Sequence, residues 1–104
     1  MAIDVYFRTT DSNPSEQERI WSIGDQEFSE LGDVFAVFTR RTGKKFDQYG
    51  DLEFPAGTFA PLNDSIREAI SNNPELQHSE TVTKLVSLVE DAEEKNCGLS
   101  FVGD

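Results

Sequence analysis

Segments of period-two alternation at both ends of the chain enclose a middle with helical spacing, and this pattern constrains the fold more than anything else. Ile3, Val5 and Phe7 alternate with Asp4, Tyr6 and Arg8, as in a strand with one buried face. At the other end, Leu99-Ser100-Phe101-Val102 reads as a closing strand. Terminal strands of one small domain can be sheet neighbours, with helices covering one face. The expectation is a single domain over 1–104. Its class is α/β (α+β-like), with a small sheet of N- and C-terminal strands packed against about three helices.

The middle supplies those helices. Phe28, Leu31, Phe35 and Phe38, with Val34 beside them, put one apolar stripe on a helix over Asp25–Arg41. Asp25 is the expected cap. Glu27 and Glu30 lie near the positive end of the helix dipole, and Arg40 and Arg41 near the negative end. Gly43 is the expected stop, and Gly32 inside the helix is expected at a close packing point. Leu62, Ile66 and Ile70 predict a helix over Pro61–Ser71, ended by Asn72-Asn73-Pro74. Ser79 caps a third helix reaching Lys95, with Val82, Leu85, Val86, Val89 and Ala92 on its apolar face and Gly98 as its stop. Leu52-Glu53-Phe54 can form a very short strand. Residues 14–23 leave two readings open: a short helix begun by Asn13, Pro14 and Glu16, or a second strand through Arg19–Ile23.

Composition limits function. Aspartate and glutamate number 20 against 9 lysines and arginines, for a formal charge of −11. That charge repels nucleic-acid backbones and anionic membranes, and it favours and steers cationic partners. The plainer reading of the same charge is solubility. The apolar fraction of 37% is low for a globular domain, and 8 phenylalanines offset it in part. The single Cys97 excludes an internal disulfide and fits a reducing compartment. Residues 1–20 carry Asp4, Asp11, Glu16 and Glu18 and no apolar run, so no signal peptide is read, and no stretch is apolar enough for a membrane span. A soluble cytoplasmic protein is expected.

Reactive groups are scarce. His78 stands at a helix start, a surface position, and lacks a readable nucleophile and orienting acid. Cys97 beside Gly98 reads as a small, semi-buried residue. One Cys and one His cannot build a soft-ligand metal site. Asp47, Asp51 and Glu53 around Gly50 offer oxygen ligands, but without the spacing of a calcium loop. No catalytic residue, cofactor or metal is therefore assigned. Arg40, Arg41, Lys44 and Lys45 form the basic cluster, read first as cations at a helix C-terminus.

More informative is the mixture of acids and aromatics. Trp21 precedes Asp25, Glu27, Glu30 and Asp33, and the later loop carries Asp47, Tyr49, Asp51 and Glu53. Interfaces that capture basic partners combine such groups: aromatics supply burial, and carboxylates steer and pair with Arg or Lys. Packing at the core edge explains Trp21 and Tyr49 equally well, and both readings stand here.

Ile23-Gly24-Asp25 through Phe38, Arg41-Thr42-Gly43, Phe46-Asp47, Tyr49-Gly50-Asp51, the helix from Leu62 to Ile70 and the ending Gly98–Asp104 resemble small acidic bacterial immunity proteins of contact-dependent inhibition and related polymorphic toxin systems. The resemblance covers about two thirds of the chain, in turns and core positions. It implies a non-catalytic protein that binds a cognate toxin domain and blocks its active site. It carries over no catalytic residue. Joined to the charge, it leads to the expectation of a basic, nuclease-type toxin as partner, met by Trp21, Asp25, Glu27, Glu30, Asp33, Asp47, Tyr49, Asp51 and Glu53. An acidic nucleic-acid mimic, or an inhibitor of a host nucleic-acid enzyme, is the alternative on the same physics. A small carboxylate-dependent hydrolase comes last. A homodimer through an open strand edge is compatible with so small a sheet.

Overall fold

The computed structural model describes residues 2–8, 19–47 and 50–103. Within them the chain is mixed α/β. Its elements are β1 (Ile3–Arg8), β2 (Arg19–Ile23), α1 (Asp25–Glu30), α2 (Gly32–Thr42), β3 (Asp51–Phe54), α3 (Ala60–Asn72), a 3-10 turn (Pro74–His78), α4 (Glu80–Glu94) and β4 (Gly98–Gly103). The strands form one antiparallel sheet in the order β2-β1-β4-β3. The terminal strands β1 and β4 are neighbours, as expected, and they are the two central members of the sheet. Arg19–Ile23 is a strand, which settles one of the open alternatives. The helix start at Asn13, Pro14 and Glu16 lies outside the described residues.

Register puts the apolar positions of all four strands on one face. Val5 lies between Trp21 and Phe101, Ile3 faces Ile23, and Leu52 and Phe54 face Phe101 and Leu99. Ile3, Val5, Ile23, Leu99 and Phe101 are buried there under the helices. The opposite face carries Asp4, Tyr6, Arg8, Asp51, Glu53, Ser100 and Val102 by the same alternation. A shift between Val5 and Tyr6 sets Tyr6 opposite Arg19 instead of Ile20. This places Arg19 within 3.5 Å of Asp4.

The segment Asp25–Arg41 is two helices, not one. Leu31 leaves helical geometry at φ −89° and ψ 3°, and Gly32 opens α2. Gly32 marks no close packing point, since a Cβ there would meet nothing within 4 Å. The expected cap at Asp25 is also displaced: Gly24 caps α1 and Asp25 is its first residue. Gly43 ends α2 as expected, at φ 76° with its N–H on Thr39 O.

Ser79 caps α4 by accepting from the Val82 N–H. Its other end differs from expectation. Asn96, at φ 55°, takes the left-handed position expected to need glycine. The Cys97 N–H reaches Ala92 O and the Asn96 N–H reaches Glu93 O, the paired closure that ends many helices. Gly98 instead begins β4 against β3. A Cβ there would sit 2.2 Å from Phe54 O and 3.1 Å from Pro55 Cα. Gly98→Ala must push two backbones apart, and is expected to cost about 1–3 kcal/mol in urea unfolding. An unchanged midpoint would contradict that close approach.

Phenylalanines join the layers. Phe46, in the coil after α2, stacks on Phe35 at 4.1 Å and stands edge-on to Phe101 and Phe38, each at 5.1 Å between ring centres. Within the helical layer, Glu68 of α3 pairs with Arg40 and Arg41 of α2. Half of the basic cluster thus fastens one helix to another. Among the described residues, no helix is long and apolar enough to cross a membrane.

Candidate functional site

The carboxylates expected to form one face occupy two regions at opposite sides of the sheet. Asp25, Glu27 and Glu30 lie on α1 and Asp33 in the first turn of α2, on the side where α1 packs against β2. Asp51 and Glu53 lie on β3, the far edge strand. Three antiparallel intervals separate β2 from β3, or roughly 14 Å at ordinary strand spacing. Glu53 is engaged by Arg8. The single charged face read from sequence is therefore divided. The reason is topological: β1 and β4 enter the middle of the sheet and push β2 and β3 to its margins.

Trp21 is half-buried on the inner face opposite Val5 and packs against the core. This matches the core-edge alternative for that residue. Asp47 is half-buried before β3. Tyr49 lies outside the described residues.

The helical region contains a groove of about 630 Å³. Its walls are Gln26, Glu27 and Glu30 of α1, Asn73, Glu75 and Leu76 at the 3-10 turn, and Ser79, Glu80 and Thr81 at the start of α4. Each wall has a local cause. A Cβ at Gly24 would lie 2.9 Å from Glu27 Oε2, so the missing side chain lets the Glu27 carboxylate fold back over the start of α1. Pro74 stops α3 and opens the 3-10 turn, which brings Glu75 and Leu76 round. The cap at Ser79 then directs α4 with Glu80 in its first turn. The buried Thr81 hydroxyl donates to Glu30 Oε2 and ties α4 to α1.

Four carboxylates, those of Glu27, Glu30, Glu75 and Glu80, thus surround one concavity, and among the described residues no lysine, arginine or histidine lines it. The N-terminal ends of α1 and α4 carry partial positive charge that lessens the mutual repulsion of Glu27 and Glu80. Leu76, half-buried, gives the groove an apolar spot. A concavity of this kind can take cationic side chains, pairing the charged ends with carboxylates and covering their aliphatic stems.

Sequence reading placed Glu27 and Glu30 in the binding surface but omitted Glu75, Glu80 and Leu76. Glu80 was legible only as a first-turn acid. Its proximity to Glu30 depends on the packing of α1 against α4, for which no local pattern exists. His78 is exposed at the end of the 3-10 turn and Cys97 is buried. Among the described residues, no group of three or more His, Cys, Asp or Glu side chains is placed to hold a metal ion.

Compared with protein-family models, curated proteins and solved structures, the chain finds no match.

Proposed function

We propose that this is a bacterial, cytoplasmic immunity protein, non-catalytic, that binds and neutralises a cognate basic toxin domain of nuclease type. The groove between α1, the 3-10 turn and α4 carries this reading: four carboxylates face one concavity, with no lining cation among the described residues. A nuclease must hold phosphate, so its cleft is basic. An inhibitor that presents grouped carboxylates meets that cleft as phosphate would, and the net charge of −11 steers the encounter. Asp25 and Asp33, exposed nearby on α1 and α2, extend the negative field around the groove.

The direct test mixes the purified protein with the toxin domain encoded beside it and follows nucleic-acid cleavage. Loss of cleavage at one equivalent is the expected result. Full cleavage at tenfold excess of the protein would reject the reading.

A further inference from the structure

We propose that the free edge of β3 is a docking site for an extended, lysine- or arginine-bearing strand of a partner protein. The inference rests on the reading of a basic partner, but it concerns a different surface from the groove.

The Gly103 N–H donates to Gly50 O at 2.9 Å. The β3–β4 register places these two residues opposite each other, one step before Asp51 and Val102. They form a hydrogen-bonded pair, so by alternation Leu52 and Phe54 turn their main-chain groups toward β4. Asp51 and Glu53 turn theirs the other way, to the outer edge. Among the described residues, no further strand lies beyond β3, and no main-chain hydrogen bond of Asp51 or Glu53 is made on that side. Both residues are exposed.

An open edge is a template for another strand. This one selects what it templates. Its outward amides and carbonyls belong to the two residues that carry carboxylates, so an added strand places its own side chains directly opposite Asp51 and Glu53; Glu53 already pairs with Arg8, so Asp51 supplies most of the selection. Acidic side chains there would repel, as like charges do in cross-strand pairs, and basic ones attract. A second copy of this chain, antiparallel through the same edge, would set Asp51 and Glu53 against their equivalents. The edge therefore disfavours self-pairing and favours a basic strand.

The inference predicts a footprint at the amides of Asp51 and Glu53. The probe is a soluble ten-residue peptide alternating Lys with Thr and Val, titrated to millimolar concentration at low salt while amide resonances and hydrogen exchange are followed. Both amides are expected to shift, and their exchange to slow by about tenfold or more. Glu53→Pro removes one outward N–H and no bond to β4, so it should abolish the footprint while the amides of Val5 and Phe101 keep their protection. Should that control fail, the charge-reversed pair Asp51→Lys and Glu53→Lys, which keeps every amide, is expected to abolish it equally. A footprint confined to Glu27, Glu30, Leu76 and Glu80 would overturn the edge proposal and leave the basic-partner reading standing. No footprint anywhere on the protein would overturn both.

Discussion

Phe46→Ala is expected to lower the unfolding free energy by about 3–5 kcal/mol, a large part of the stability of a domain this size. Phe46 belongs to no helix or strand, yet it is 3% exposed. Its ring contacts Phe35 and Phe38 from α2, Phe54 from β3 and Phe101 from β4. Truncation leaves a void bordered by both layers. Urea unfolding should show a lower midpoint with a similar slope. A loss below about 1 kcal/mol would mean that the ring is not the joint between helices and sheet.

Charge reversal of the groove has the largest expected effect on binding. Glu27→Lys, Glu30→Lys and Glu80→Lys together change the local charge from strongly negative to positive at the place where a basic partner is held to dock. Close charge pairs at interfaces contribute about 1.5–7 kcal/mol each by coupling measurements. Even the low end, taken for two pairs, weakens binding roughly 100-fold. Folding is expected to weaken less than binding, although Glu27 and Glu80 are lost from the first turns of α1 and α4, where acids are favoured. Glu30 also accepts from Thr81, so Glu30→Gln serves as the variant that keeps an acceptor and removes only the charge. Unchanged affinity and unchanged salt dependence in the triple variant would place the partner elsewhere.

Local chemistry made much of the fold legible. The alternation of Ile3, Val5 and Phe7 predicts β1, and the run from Leu99 to Val102 predicts β4, because a one-faced strand must repeat every two residues. Ser79 and Gly43 announce helix limits through a hydroxyl that accepts and a backbone that turns left. The break at Leu31 was not legible, since the apolar stripe of Phe28, Leu31 and Phe35 continues across it. The end of α4 near Lys95 was legible, but its stop was assigned to Gly98: Asn96 adopts the conformation that glycine usually supplies, and Gly98 makes a close contact with β3 instead. The acidic surface was legible only as composition. Acids expected on one face, such as Glu30 and Asp51, were separated by sheet order, whereas Glu30 and Thr81 were brought together across 51 positions.

Capture from the native host is the most direct test of the account. The tagged protein is recovered at low salt, and its companion is identified and then challenged with salt. The account predicts a stoichiometric basic toxin domain that is retained at low salt, weakened as salt screens the charges, and missing when Glu27, Glu30 and Glu80 are reversed. Recovery of a host nucleic-acid enzyme instead would contradict the immunity reading and favour a nucleic-acid mimic. Recovery of no basic partner would contradict the claim that this acidic groove exists to bind one.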